Sequence, residues 1–407
     1  MISREKKNIT AIIIVAALGY FVDVYDLILF SVVRKPSLTS LGITGDAQLS
    51  IGVQLLNWQM TGMLIGGILW GILGDKKGRI SVLFGSIFLY STANILNGFV
   101  TDIPIYSLLR FIAGVGLAGE LGAGITLVSE VMSKESRGWG TTIIATVGVF
   151  GAVVAALIAN KFDWRISYFI GGGMGIILLI MRIGVYESGM YKNIKDSDVS
   201  KGNFLMLFTD KSRFYKFLKC ILIGLPTWFV MGVLITFSDK FGEALGVKGQ
   251  INPANSIMFA YIGIVIGDFA SGFMSQLMKS RKKVILIFIT LNVIFMFLYL
   301  FVNSFGTEYF YFLCAMLGFS NGFWAVFVTN ASEQFGTNFR ATVTTSVPNI
   351  IRGSTVPLTL SFQFISGFTG IIYSAAIVAV IDLAIAYYAA MKSEETFGKD
   401  LDYVEIT

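Results

Sequence analysis

The chain contains no histidine, and only two cysteines and six prolines in 407 residues. Without histidine no side chain has an unperturbed pKa near neutrality, so any proton handled inside this protein must travel on carboxylates. Cys220 and Cys314 both fall in apolar stretches, which leaves no disulfide framework and no metal-ligand spacing. There is no nucleophile elbow and no glycine-rich loop beside a Walker lysine, so hydrolysis and ATP-driven work have no support, and neither an enzyme nor a cofactor is expected. Charge is scarce as well: 14% of residues are Asp, Glu, Lys or Arg, against roughly 25% in an average soluble domain.

What is present is apolar. Hydrophobic residues make up 55% of the chain, with 35 Phe and a mean hydropathy of +0.74, so the solvent of most of this surface is lipid. Spanning about 30 Å of hydrocarbon takes roughly 20 helical residues. Twelve stretches qualify: near 9–33, 50–74, 80–100, 104–131, 139–160, 166–186, 217–237, 255–278, 284–303, 308–332, 342–366 and 369–391. The expected fold is all-α and integral to the membrane, with twelve transmembrane helices. A six-helix bundle over 1–188, a polar Lys-rich linker over 189–216, a second six-helix bundle over 217–392 and a tail over 393–407 are predicted.

The net charge of +6 raises the question of nucleic acid, but the placement of the basic residues answers it. Arg4, Lys6 and Lys7, the cluster Lys76, Lys77 and Arg79, then Lys134, Arg137, Arg182 to Lys219, Lys279 to Lys283, Arg340, Lys392 and Lys399 all fall on one side of the spans. That bias predicts both termini in the cytoplasm and a bilayer, not nucleic acid, as the large partner. The first apolar segment carries Asp23 and Asp26 and lacks a small-residue cleavage site, so it reads as a retained helix. A multi-pass monomer in a bacterial inner membrane is expected.

One pattern occurs twice. Ser129-Glu130 followed by Arg137 recurs as Ser332-Glu333 followed by Arg340, 203 residues further on, each at the cytoplasmic end of an apolar stretch. Random loop charge does not keep register, so the repeat points to two duplicated halves and to charge pairs that latch them; solvated loop charges are the alternative. A second correspondence joins Gly71, Asp75, Gly78 and Arg79, at the end of the second span, to the stretch from Gly272 to Arg281 at the end of the eighth. A lane of small residues, Gly114, Gly116, Gly119, Gly122, Gly124, Gly148 and Gly151, allows close helix contact.

On these residues the chain resembles the major facilitator superfamily over essentially its whole length. Gly71, Asp75, Gly78 and Arg79 resemble its loop 2–3 signature, Arg110, Gly114 and Gly116 its fourth-helix signature, and Glu130/Arg137 with Glu333/Arg340 its paired cytoplasmic charges. Asp163-Trp164-Arg165 and Glu395-Thr396-Phe397-Gly398-Lys399 resemble the branch that contains sugar porters, metabolite–proton symporters and phosphate–proton symporters. The resemblance implies two pseudo-symmetric six-helix bundles that work by alternating access.

Subtracting the repeat leaves Asp23, Asp26, Arg110, Glu120, Asp268, Arg352 and Asp382 as ionisable residues within the spans. Charge in hydrocarbon usually pairs or lines a wet cavity. Asp23 and Asp26 share one face of the first helix, in a segment that resembles the D-x-Y-D of phosphate–proton symporters. Tyr25-Asp26 also matches the sugar-porter aspartate that pairs with a fourth-helix arginine, here Arg110. Glu120 follows Arg110 by ten residues, about 15 Å along a helix, near the midplane; its alternative is a structural carboxylate. Asp23, Asp26, Arg110 and Glu120 are therefore the proton-coupling candidates.

Arg352, with Asn349 one turn before it, is the candidate substrate anchor, since a guanidinium clamps a carboxylate or phosphate bidentately; an internal salt bridge to Asp268 or Glu333 is the rival. Asp268 is otherwise read as structural, with the gate residues. Gln54, Asn57, Trp228, Tyr261, Asn321, Trp324 and Asn330 are candidate cavity-lining groups. The seventh span reads Gly-Leu-Pro-Thr-Trp and lacks the glutamine pair of sugar porters, which argues against a hexose. The expected function is proton-coupled import of a small polar, anionic metabolite. A proton-coupled exporter of a drug, siderophore or metabolite, and a non-transporting sensor or channel, stand as alternatives.

Overall fold

The computed structural model describes residues 2–44, 46–133, 136–183, 204–301 and 305–404. It is all helix. In chain order the first half contains α1 (Ile2–Ser40), α2 (Asp46–Lys77), α3 (Arg79–Asn97), α4 (Ile103–Leu117), α5 (Glu120–Val131), α6 (Arg137–Lys161) and α7 (Trp164–Met181). The second half contains α8 (Lys211–Phe229), continued by a π-helical stretch Val230–Ile235, then α9 (Ser238–Ala244), α10 (Pro253–Met278), α11 (Arg281–Phe301), α12 (Thr307–Asn321), α13 (Trp324–Glu333), α14 (Arg340–Gly353), α15 (Thr355–Thr369) and α16 (Ile371–Lys392). The linker expected at 189–216 lies outside the described residues up to 203; after it come a single turn, Met206–Thr209, and the start of α8 at Lys211.

Helix starts follow local chemistry. Asp102, Asp163 and Asp210 stand just before α4, α7 and α8, and each carboxylate accepts a hydrogen bond from a first-turn N–H, of Ile105, Arg165 and Arg213. Between α2 and α3 the chain reverses on Gly78, whose φ of 98° is open to glycine and strained for other residues. That turn is what delivers Arg79 back under the bundle.

Ten helical stretches among the described residues are long and apolar enough to cross a membrane. The two expected spans outside that set are α2 and the pair α14 and α15. For α14 the reason is packing: it reads Arg-Ala-Thr-Val-Thr-Thr-Ser, it is buried along most of its length, and it packs against α2 and α5 at the join between the halves. A helix shielded from lipid by its neighbours has no need to be apolar.

Two helices break at equivalent places. The fourth span divides into α4 and α5 at Ala118-Gly119, and the tenth into α12 and α13 at Gly322-Phe323. Gly119 and Gly322 are 203 residues apart, the offset of the Ser-Glu repeat. The halves meet along α2 with α14 and along α6 with α10, and glycine sets both approaches. A Cβ on Gly71 would lie 2.8 Å from Thr342 Cα, and one on Gly272 would lie 2.1 Å from Thr142 Oγ1.

Candidate functional site

The end of the molecule where α2 finishes and α3 begins is closed by charge. Arg79 donates to Gly74 O (2.9 Å), to Glu130 Oε1 (2.8 Å) and to Thr337 O (3.0 Å), and lies 3.4 Å from Asp75. From the other half, Arg340 reaches the same Glu130 oxygen at 3.0 Å. The Asp75 carboxylate accepts the N–H groups of Ala341 (3.1 Å) and Thr342 (2.8 Å), the free first-turn donors of α14. An acid at the positive end of a helix dipole is favourable, and here acid and helix belong to different halves.

These contacts give the latch its partners. The sequence gives Glu130, Arg137, Glu333 and Arg340 as a latch between halves without saying which meets which; Glu130 holds Arg79 and Arg340 together, and Glu333 pairs with Arg281 at 3.4 Å. The side chain of Arg137 lies outside the described residues. Arg281, absent from the expected site, is the counterpart of Arg79, so the conserved geometry within the chain is Arg79–Glu130 repeated as Arg281–Glu333.

The C-terminal tail completes the closure. Thr396 donates to Glu333 (2.7 Å) and accepts from Asn330 (3.1 Å), while Leu401 O takes Arg340 (2.6 Å) and Tyr403 O takes the Thr337 N–H (2.9 Å). Asn330, expected in the cavity, therefore belongs to this seal. Glu395 is hydrogen-bonded by the Ser280 hydroxyl and accepts the N–H of Arg281, Thr396 and Phe397. Its partial burial opposes ionisation, but those donors outweigh it and hold the carboxyl below its ordinary value.

Midway through the bundle the halves exchange two threonine hydrogen bonds, Thr126 with Thr344 at 2.5 Å and Thr329 with Thr141 at 2.9 Å. Each pair repeats at the 203 offset, which is the signal that identifies both from sequence. Next to them, Asn349 donates to Ala118 O at the break of the fourth span (3.0 Å) and accepts from Arg352 (3.1 Å).

Beyond this seam lies a cavity of about 40 Å³ lined by Tyr20, Trp228, Tyr261, Asn321, Trp324 and Arg352 among others. Arg352 is the one charged residue in that lining; it stands 6.0 Å from the Trp228 ring centroid. Neither rival salt bridge is formed: Glu333 is held by Arg281, and Asp268 accepts from Ala325 N at 3.1 Å, capping α13. A second cavity of about 170 Å³ continues toward the opposite end, sharing Leu27, Trp228, Met231 and Tyr261 with the first and adding Arg34, Asn57, Thr355 and Gln363. Asn57 thus lines the outer space, while Gln54 lies elsewhere, in a groove with Trp58, Pro104 and Phe111.

Asp23 and Asp26 on α1 are buried, and none of their four carboxylate oxygens has a hydrogen-bond partner. Asp23 is within electrostatic reach of Arg352, Glu120 and Asp26. Asp26 is within reach of Arg110, faces Gly171, whose absent Cβ makes its space, and has the Asn94 amide beside it without a hydrogen bond of normal geometry. The expected Asp26–Arg110 salt bridge is not closed. Arg110 donates instead to Tyr168 Oη (3.3 Å) and stacks 5.0 Å from the Phe30 centroid, an aromatic seat that keeps the guanidinium one step away from the acid.

Glu120 lines neither cavity. Arg182, read from sequence as the start of the cytoplasmic charge, folds back from the end of α7, donates to Leu83 O (2.9 Å) and grips Glu120 with two bonds of 2.8 and 2.7 Å. This bidentate pair packs on Gly19 of α1, one turn before Asp23. Long side chains carry charge well away from their place in the sequence, and nothing in the spacing marks Arg182 as the partner.

Twin helix breaks, glycine-set joins between halves and a charged latch at one end are matched by a sequence comparison: the Major Facilitator Superfamily description covers residues 16–370. The chain belongs to the Major Facilitator Superfamily. It is thus a multi-pass membrane protein of a transporter family. The sialic acid transporter NanX of Escherichia coli (strain K12) is 27% identical over 266 residues, 62% of this chain and 64% of that protein. The niacin transporter NiaP of Acinetobacter baylyi is 25% identical over 382 residues, 84% of this chain and 85% of the relative. Among solved structures, the proton:xylose symporter XylE bound to 6-bromo-6-deoxy-D-glucose superposes with a TM-score of 0.76 over 98% of both chains at 16% identity, which shows the shared superfamily fold.

Proposed function

We propose that this protein is a secondary active transporter that imports a small, flat carboxylate together with a proton across a bacterial inner membrane. In this reading α2 and the α14–α15 pair complete twelve spans, arranged as bundles 1–188 and 217–392 around the linker 189–216. Both termini and the charged latch are cytoplasmic, so the closed end is inside and the two cavities open outward. The observation that carries the reading is Arg352, the sole charge in a cavity walled by Tyr20, Trp228, Tyr261 and Trp324. A guanidinium with ring faces around it suits a planar acid, and the names of relatives that carry sialic acid and niacin agree with an acidic cargo.

Coupling follows from electrostatics. With the cargo site empty, the field of Arg352 acts on Asp23 alone. A cargo carboxylate on Arg352 competes with Asp23, buried without hydrogen-bond donors, for that field, so that cargo and proton enter together. Asp26 stands in the same relation to Arg110. Neutral cargo–Arg352 and neutral Asp23 then let the halves rock across their seam, Glu130 releases Arg340, and the inner side opens. Glu120, fixed by Arg182, holds α1 in place beside Asp23.

The test is uptake of benzoate, niacin and other planar acids into proteoliposomes under an imposed inward proton gradient. Wild type is expected to accumulate one or more of them above equilibrium, and Arg352→Gln to lose at least tenfold in initial rate while keeping its thermal midpoint. Full uptake by Arg352→Gln would overturn the assignment.

A further inference from the structure

The outer cavity holds a second guanidinium that the transport cycle above leaves unused. We propose that Arg34, with Asn57, Thr355 and Gln363, forms an outer anion-binding subsite that receives the cargo carboxylate before it reaches Arg352. The inference rests on the reading of the cargo as an acid.

Arg34 follows Leu27 by seven residues, about 10 Å along α1, and Leu27 lines both cavities together with Trp228, Met231 and Tyr261. The two guanidiniums therefore face one path, separated by an apolar neck. Space for Arg34 is made by Gly52 of α2: a Cβ there would stand 2.5 Å from Arg34 Cδ and 3.2 Å from its Nε. No carboxylate is at ion-pair distance from Arg34 among the described residues, and the field that does reach it comes from Asp239 of α9, an exposed residue. Thr355 Oγ1 is buried without a hydrogen-bond partner, and Asn57 and Gln363 add exposed neutral donors on the same wall.

A half-buried cation on a low-dielectric wall attracts an anion more strongly than a fully solvated one, and concave walls focus its field. Topology offers no rival reason for this arginine. Basic residues collect at the latch end, and Arg34 stands at the other. An acid captured here has only the neck to pass before Arg352.

The experiment uses the full-length protein in nanodiscs with Ser31→Cys, a cavity-lining position one turn before Arg34; Cys220 and Cys314 are buried. The thiol is modified in parallel with a sulfonate-bearing and a trimethylammonium-bearing methanethiosulfonate. The ratio of anionic to cationic rate is expected to fall at least fivefold with Arg34→Gln, to return with Arg34→Lys, and to be lowered by benzoate only when Arg34 is present. An unchanged ratio in Arg34→Gln, or benzoate protection that survives it, overturns the subsite. Loss of the acid-cargo reading shows separately, as Arg352→Gln transporting at the wild-type rate, and leaves this ratio unaffected.

Discussion

At the scale of single residues, the chain sets charges one contact apart from their partners. Asp23 and Asp26 are buried with no hydrogen bond, while Arg352 and Arg110 stand within electrostatic reach on neighbouring helices. A closed buried pair, such as Glu120 with Arg182, commits the acid to one partner. In the proposed cycle an open one lets a proton or a cargo acid change the balance. If cargo binds at Arg352 as proposed, Asp23→Asn is expected to lower gradient-driven accumulation at least tenfold while preserving counterflow exchange of pre-loaded cargo. Counterflow and accumulation lost in equal measure would assign Asp23 to binding instead. The candidate residues themselves were legible, because ionisable groups inside apolar spans stand out. Their partners were not: Arg182 was hidden by the length of its own side chain, and Arg110 was drawn to Tyr168 and Phe30 by aromatic faces that no spacing reveals.

At the scale of elements, function rests on how closely helices of opposite halves approach. Gly71 and Gly272 bring α2 against α14 and α10 against α6, and the paired threonines Thr126–Thr344 and Thr329–Thr141 register the contact. Gly272→Leu places carbon where Thr142 Oγ1 now sits, so the latch end cannot close fully. The variant is expected to expose Ser129→Cys, on the latch side, to thiol reagent several-fold faster than the parent protein; equal rates would mean that this seam does not govern closure. The helices on either side of these joins were readable as apolar runs, but the polar composition of α14 is explained only by its burial against the glycine face of α2.

At the scale of the whole molecule, one end is sealed by a network that spans both halves and the tail. Arg79 and Arg340 share the Glu130 carboxylate, Asp75 caps a helix of the opposite half, Leu401 O accepts from Arg340 and Thr396 donates to Glu333. Deleting the chain after Ser393 removes the last two contacts and is expected to shift the population toward the state open at the latch end, seen as faster labelling of Ser129→Cys. An unchanged rate would reduce the tail to a passive cover. Acid acts on the same anchor. Because the Glu395 carboxyl is held below its ordinary value, its contribution is complete above the usual glutamate range, about 4.3, and fades as pH falls through the lowered value.

The sequence by itself determined the solvent, the helical class, the duplication and the short roll of charges that break it, because hydrophobic runs and repeats are one-dimensional properties. It also placed Trp228, Tyr261, Asn321, Trp324 and Arg352, all of which line one cavity. Only the tertiary structure decided which charge meets which: Glu130 with Arg340, Glu333 with Arg281, Glu120 with Arg182, and Asp23 and Asp26 with no ion pair. The reason is physical. An ion pair forms between atoms at the ends of flexible side chains, and which ends meet depends on the crossing of helices that are far apart in the chain.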